Sequence, residues 1–580
     1  MESNTKSSLS LLRRFIGEAL SHRRTLAVVV FSIIGSALAT LAPPYILSVA
    51  IDRYILPGNY GRFWVIALLY LLSLVAGWFF ATLQTFYIEV FGQKVLRDLR
   101  ARLHEKVLHS SLDFFKDKST GDLVSRIVND TGIVNDVLVS GLLGSLGSLL
   151  SLIGIITAMF LLDVRLTLVT LASVPLMVLV AYYFGGKMRR AYRETRQKIA
   201  KISSVVEESV AGIETIRAFG RERDVEGEFS KVSRETIKAY LRVAVYMGLF
   251  WPLMNITSLL SVIIVIAYGG YLAYQGAVSV GVVVAFIQYA QRFRGPINDV
   301  IGLYDSLQSA LAALERIYEI LDDENVEDYD GVHVEKLNGE IEFDDVWFEY
   351  ERGRPVLKGI NLKIGRASKV AVVGRTGAGK TTIANLIMRF YDPTKGRVLY
   401  DGVDGREISR KSLRRRIGYV PQETYLFPGT IMENILMANP EASEEDVIRV
   451  CKELGVHEFI MRLPKGYETS AGEAGKLLSV GERQLISLAR AMLKDPDIVI
   501  LDEALSSVDP KTERQVQDAM LKLMEGRTSI IIAHRLGITR FADKVVVVED
   551  GRIIEEGSPE ELLKKKGHFY RLYASQMGEV

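Results

Sequence analysis

Lys369-Val370-Ala371-Val372-Val373-Gly374-Arg375-Thr376-Gly377-Ala378-Gly379-Lys380-Thr381 decides the second half of this chain. Lys369 to Val373 read as an apolar strand that ends at Gly374. The next eight residues match G-x-x-x-x-G-K-[ST], and a helical run, Thr382 to Arg389, follows. Strand before and helix after is the setting a phosphate-binding loop requires. Glycines let the backbone wrap phosphates closely, and a helix N-terminus points its N–H groups at them. Lys380 is expected to reach the β- and γ-phosphates, with the Thr381 hydroxyl on Mg²⁺.

A second acidic element lies 122 residues past Lys380, where Ile498-Val499-Ile500-Leu501 run into Asp502-Glu503. A buried strand there delivers Asp502 beside the loop, to assist Mg²⁺ binding. Glu503 then faces the γ-phosphate and polarises a water as general base. Upstream, Ile341-Glu342-Phe343 and Val346-Trp347-Phe348 read as strand. Residues 321–338 are acidic and polar with no apolar period, so they read as a linker. The expected fold is an α/β ATP-binding domain over 339–580, with a helical subdomain near 430–495 that includes a helix at 443–455, capped by Ser443.

The first half has a different texture. Stretches free of Asp, Glu, Lys and Arg cover 25–51, 63–88, 137–162, 166–186 and 243–291. About 20 such residues cross a bilayer as a helix. The last stretch is long enough for two spans, which gives six: 25–50, 63–88, 137–161, 166–186, 246–269 and 280–303. Residues 1–320 are therefore expected to be an all-α transmembrane domain. Segments 89–136 and 187–242 carry 8 and 14 Lys+Arg. The positive-inside rule puts them, with both termini, in the cytoplasm of a multi-pass cell (inner) membrane protein. They read as helices that leave the membrane and turn near 119–135 and 211–222. Residues 1–24 are polar and basic, with no expected cleavable signal.

The motifs together resemble an ABC exporter half. Leu477-Leu478-Ser479-Val480-Gly481-Glu482-Arg483-Gln484 resembles the signature usually written L-S-G-G-Q. Gln422 resembles the Q-loop glutamine, Ser506-Ser507-Val508-Asp509 the D-loop and His534 the switch histidine. Asp113-Phe114-Phe115 with Thr120-Gly121-Asp122, and Arg217 to Glu222, resemble the coupling regions. The resemblance implies a dimer of half-transporters in which each ATP lies between two chains. It implies ATP contacts from Tyr350, stacked on adenine, and from Gly374, Arg375, Thr376, Gly377, Ala378, Gly379, Lys380, Thr381, Thr382 and Gln422. Ser479, Gly481, Glu482 and Asp509 would reach the partner's ATP. Thr381, Gln422 and Asp502 would hold Mg²⁺, and Glu503 and His534 would be catalytic. The implied function is ATP-driven export or flipping of amphipathic drugs, lipids or peptides by alternating access. An ATP-gated channel or regulator, or a membrane-tethered ATPase without pumping, is the alternative.

Two departures bear on the partner. Val480 stands where glycine is usual, adding bulk where backbone must approach phosphate, and Glu482 replaces glutamine and adds negative charge beside polyphosphate. The residues lent to a partner look weakened, while those used on the chain's own nucleotide look intact. A heterodimer with a sister half-transporter is the preferred reading, and a homodimer with a variant signature the other.

Composition closes off further classes. The 580 residues hold one cysteine, seven histidines and a net charge of +2. That excludes an intrachain disulfide framework and a Cys-rich zinc site. No basic patch with interleaved aromatics marks a nucleic-acid partner in 339–580. The spans are read as holding no ionisable residue near mid-membrane. Gln84, Asn255, Thr257, Gln288 and Gln291, with Trp78, Phe79, Trp251, Phe286 and Tyr289, are the candidate cavity groups for an amphipathic substrate.

Overall fold

A computed structural model describes residues 2–116, 118–502, 510–533 and 535–577. The chain divides into two units, Met1–Ser110 with Asp117–Glu324, and Asn325–Val580 with Ser111–Lys116.

The first unit is built of helices: α1 (Arg23–Ala50), α2 (Phe63–Leu108), α3 (Leu142–Leu162), α4 (Val174–Ala211), α5 (Glu222–Ile264), α6 (Val280–Arg292) and α7 (Arg294–Leu321), with shorter turns between them. Among the described residues, five helical stretches are long and apolar enough to cross a membrane: Ser10–Ile55, Tyr60–Leu108, Thr120–Leu162, Val164–Ala211 and Glu222–Tyr274. The 46 residues of α2 are about 70 Å long at 1.5 Å per residue, twice a bilayer's apolar thickness. Their far ends are polar and paired to one another. Lys198 on α4 meets Glu235 on α5 at 2.6 Å, and Arg242 meets Glu194 at 2.7 Å. The turns expected near 119–135 and 211–222 contain short helices, Thr120–Ser125 capped by Ser119 and Ile213–Ala218.

The sixth expected span, 280–303, corrects the sequence reading. It is two helices that meet at Phe293, and it carries Arg292, Arg294 and Asp299. Pro296 has no N–H to offer the Arg292 carbonyl, so the helical ladder breaks there. Arg292 lies about 18 Å along the helix from Val280, so ionisable groups do occur well inside a span. Around this junction Ile155, Met159, Met177, Met254, Phe286, Tyr289 and Phe293 form one buried apolar cluster.

The second unit holds two sheets. β1 (Ile341–Glu351), β2 (Arg354–Ile364), β4 (Lys395–Tyr400) and β5 (Val403–Asp404) form an antiparallel sheet in the order β2-β1-β4-β5. The two apolar stretches read before and after Asp344-Asp345 are one strand, with its register broken at Asp345, whose φ is +45°. The larger sheet runs β10-β9-β3-β8-β7-β6, from β3 (Lys369–Val373), β6 (Ile417–Val420), β7 (Ile498–Asp502), β8 (Thr528–Ala533), β9 (Lys544–Glu549) and β10 (Arg552–Gly557). Five of these strands are parallel, and only β10 runs antiparallel to its neighbour. Val370 and Val372 face one apolar cluster and Ala371 and Val373 the other, as strand alternation requires of a sheet covered on both faces.

α8 (Lys380–Ile387) follows β3. Between β6 and β7 stands the helical group, including α9 (Glu444–Leu454) and α10 (Val480–Leu493). Ser443 caps α9 in a reciprocal box with Asp446, and Gly455 ends it in the left-handed conformation. The stretch read as a linker, 321–338, begins where α7 ends at Leu321, and part of it is docked rather than solvated. Glu327 is buried, and its carboxylate accepts two hydrogen bonds from Arg414 at 2.7 and 2.8 Å. Burial alone would raise that carboxyl, but Arg414 draws it below the usual range. The backbone N–H of Leu337 donates to Asp497 at 2.9 Å.

Candidate functional site

The C-terminal ends of parallel strands are where an open α/β sheet binds ligands, and here they collect the predicted residues. β3 and β7 both pair with β8, Val373 opposite Ala533 and Asp502 opposite Ile532. Asp502 therefore ends its strand at nearly the level where the Gly374 loop begins, about 10 Å away across two strand spacings. β6 ends beside β7 at Val420, and Gln422 follows it, exposed. Glu503, Asp509 and His534 lie outside the described residues.

The loop needs its glycines. Gly374 has φ +156°, and a Cβ there would sit 2.1 Å from the Val548 carbonyl oxygen. Gly379 has φ +103° and begins α8, with room for a Cβ only 2.7 Å from Leu357. No side chain caps α8, so its first N–H groups stay free to meet phosphate oxygens. The Lys380 ammonium lies across the loop, donating to the Gly374 carbonyl at 2.8 Å and the Arg375 carbonyl at 3.0 Å. Arg375, Thr376, Gly377 and Thr381 are exposed, and Ala378 is buried. Asp502 is buried at 3 % exposure. Burial and the Asp502 charge push the neighbouring Tyr419 phenol up to about 12.

Thr382 and Tyr350 pair with each other. The Tyr350 hydroxyl donates to Thr382 Oγ1 at 3.2 Å and accepts from Asn385 Nδ2 at 3.2 Å. Thr382 is thus buried in the unit rather than at the loop's open face. The Tyr350 ring stands edge-on to Phe348 and Tyr391, with centroids at 4.7 and 5.2 Å. Lys116 Nζ donates to the Tyr350 carbonyl at 2.8 Å. Sequence reading missed this contact because the two residues are far apart along the chain.

The signature helix is arranged in the opposite sense to α8. Ser479 is the N-cap of α10; its Oγ accepts from the Glu482 N–H at 3.3 Å, and the Glu482 carboxylate accepts from the Ser479 N–H at 2.7 Å. Sequence reading saw only repulsion in Glu482, although Ser-x-x-Glu is the pattern of a capping box. Gly481 is buried in the first turn, and Val480 is 37 % exposed beside it. A hollow of about 570 Å³ lies between the Gln422–Tyr425 loop and this helix. Gln484 is buried against it, with neither amide atom hydrogen-bonded among the described residues. Arg490 on α10 donates to the Tyr425 carbonyl at 2.7 Å, tying the helix to the loop that carries Gln422.

In the helical unit, Gln84, Gln291 and Trp251 line a cavity of about 720 Å³. Thr257, Phe286 and Tyr289 are packed inside the unit, Gln288 is half-buried, and Trp78 and Phe79 are exposed outside the cavity. Asn255 lies against the cavity wall as acceptor from Arg294.

Comparison with known proteins follows both units. The family model of the ABC transporter transmembrane region matches residues 26–297, and the ABC transporter model matches residues 357–506. The ABC transporter ATP-binding protein YfiC of Bacillus subtilis is 35 % identical over 577 residues, covering 98 % of this chain and 95 % of that protein. The ATP-dependent lipid A-core flippase of Syntrophus aciditrophicus is 34 % identical over 579 residues, covering 98 % and 95 %. A solved bacterial Atm1-family ABC exporter with ATP bound superposes with a TM-score of 0.78 at 28 % identity, over 96 % of this chain and 98 % of that one.

Proposed function

This chain belongs to the ABC transporters, and from that premise we propose that it couples ATP hydrolysis to export or flipping of amphipathic substrates. The observation that carries the reading is one chain joining five membrane-length apolar stretches to a phosphate loop on an uncapped helix. The names of a flippase and an exporter among its relatives support it.

The chain works as one half of a dimer. Gly374 to Thr381 hold the nucleotide phosphates, Lys380 neutralises them and Tyr350 stacks on adenine. Thr381, Gln422 and Asp502 offer a hydroxyl, an amide oxygen and a buried carboxylate, a hard oxygen set that fits Mg²⁺. Bound there, Mg²⁺ offsets phosphate charge. Glu503 takes the proton of the attacking water, and His534 contacts the γ-phosphate. Ser479, Gly481, Glu482 and Asp509 face the partner's nucleotide. Closure of the ATP sites drives the alternation of the helical units. The chain sits in the cell membrane with both termini in the cytoplasm, a reading supported by the basic segments 89–136 and 187–242.

The partner is a sister half-transporter. The support is the Glu482 carboxylate, which occupies the α10 N-terminus that a partner's γ-phosphate would use. The test reconstitutes the chain in proteoliposomes, alone and with candidate sister halves, and follows ATP-dependent accumulation of a fluorescent amphiphile. Accumulation that Lys380→Ala abolishes supports pumping. ATP hydrolysis with no accumulation in any combination sinks pumping in favour of a gated channel or tethered ATPase.

A further inference from the structure

Four helices and the α6–α7 junction line the 720 Å³ cavity, and its chemistry is not neutral. Ser36 and Thr40 come from α1, Gln84 from α2, Ser148 and Ser151 from α3, and Trp251 from α5. The junction adds Arg292 and Arg294, and α7 adds Asp299. The single carboxylate among these is occupied locally, because Ser148 donates to Asp299 at 2.5 Å. Among the described residues, neither arginine has a carboxylate partner. Arg292 donates to the Thr40 carbonyl and Arg294 to Asn255 Oδ1. Both guanidiniums are half-buried, and each keeps N–H groups beyond those single bonds.

A guanidinium inside an apolar layer is expensive unless an anion or dense hydrogen bonding compensates it. One neutral acceptor each is thin compensation. The planar fork of arginine is suited to bidentate binding of phosphate or carboxylate, and both forks line this one cavity. Beside them Arg294 stacks over the Trp251 ring, 4.9 Å from its centroid. Trp251 is 45 % exposed, an apolar surface next to the charge.

We propose that Arg292 and Arg294 form the headgroup site of the transported molecule, and that its substrate class is the anionic amphiphile: a phosphate or carboxylate head on the arginines and an apolar tail against Trp251. The assignment rests on the export reading for the word "transported" and on the cavity alone for the binding. An anionic membrane lipid and an acidic soluble amphiphile share this chemistry.

Trp251 is the reporter. The full chain carrying Trp64→Phe, Trp78→Phe and Trp347→Phe is placed in phosphatidylcholine nanodiscs without nucleotide and titrated with dodecyl phosphate. The expected result is saturable quenching. Dodecyltrimethylammonium at equal concentration gives none. Arg292→Gln with Arg294→Gln weakens the phosphate amphiphile about tenfold or more, the loss typical of a charged hydrogen-bond pair. Arg292→Lys with Arg294→Lys keeps the charge but loses the fork, so its binding falls between that of the unmodified chain and that of the glutamine variant, which separates headgroup recognition from a folding defect. Equal quenching by the cationic amphiphile, or unchanged affinity in the glutamine variant, overturns the proposal. Phosphatidylglycerol in the nanodisc that competes with dodecyl phosphate marks a lipid source; undiminished dodecyl phosphate binding in its presence marks a soluble one. Because no ATP is present, selective binding without ATP-driven transport would sink the export reading and leave the site standing. Transport that persists without selective binding would sink the site alone.

Discussion

Two helices in one ATPase unit begin in opposite ways. α8 starts from a left-handed glycine with no side-chain cap, and the ammonium of Lys380 lies over the loop before it. α10 starts from a serine, with a complete capping box and its own carboxylate on the first turn. An isolated helix gains from the second arrangement, since capping is worth about 1 kcal/mol. A phosphate site gains from the first, since an unsatisfied N-terminus is what binds an anion. α8 is built to be completed by a ligand, and α10 has satisfied part of its own N-terminus and set a carboxylate beside the rest. The difference separates a helix start left open to an anion from one partly committed to its own stability.

The largest expected effect tests the open helix. Lys380→Ala removes the charge facing the phosphates and should cut ATP hydrolysis by about 100-fold or more, measured as phosphate release. Activity near that of the unmodified protein would mean that the loop is not the phosphate site. Gly379→Ser would give α8 a cap like that of α10. It forces a side chain into φ +103° and against Leu357, and its hydroxyl competes for the same N–H groups. Nucleotide affinity should fall about tenfold or more by equilibrium binding of a fluorescent ATP analogue. Unchanged affinity would break the comparison at its stronger end.

The reverse change opens α10. Val480→Gly with Glu482→Gln frees its N-terminus of bulk and charge. If the chain pairs with itself, ATP hydrolysis of the chain alone should rise about tenfold. If it needs a sister, hydrolysis of the lone chain stays flat, and the gain appears only at the site completed by this signature in the mixed dimer. The same helix should lose stability when its box is removed: Glu482→Ala should cost about 1 kcal/mol by chemical denaturation. No loss would mean that the box contributes nothing to α10.

The smallest effect is a control on the helical group that carries α10. Cys451 on α9 is fully buried, and burial pushes its thiol up to about 11. Its folded value lies above the unfolded one near 9, so its contribution to stability is intact below pH 9 and fades between 9 and about 11. Iodoacetamide at pH 8 should leave it unmodified in the Glu482 variants. Rapid alkylation there would show that the variant opened the helical group rather than the capping box alone.

Much of this was readable in advance, for physical reasons. The phosphate loop needs glycines and a lysine at fixed spacing, and β7 needs an apolar run before its acids, so both are local. The α9 helix announces itself through Ser443 and three acids in its first turn. What escaped reading depends on partners distant in sequence. Glu327 looks like one more acid in a polar stretch until Arg414 meets it. Arg292 and Arg294 follow a long uncharged run and look like its end, until Pro296 and the neighbouring helices place them around a cavity. The capping box was local and legible, but its charge drew attention before its geometry did.

Ser111–Lys116 separates the order of synthesis from the order of assembly. These six residues group with the ATPase unit, although the chain before and after them belongs to the helical one. Phe114 is buried at 2 % exposure, Ser111 donates to the Asn325 carbonyl and Lys116 to that of Tyr350. A ribosome releases this segment hundreds of residues before the sheet that receives it exists. The nascent chain must carry an apolar hook, Leu112 to Phe115, through the making of the four further expected spans before its seat is ready. A fragment cut at Asn325 would have the seat without the hook, leaving the Tyr350 carbonyl without its lysine. The boundary of this ATPase is thus not a point on the chain, and a fragment meant to represent it should be supplied with residues 111–116 as a separate peptide.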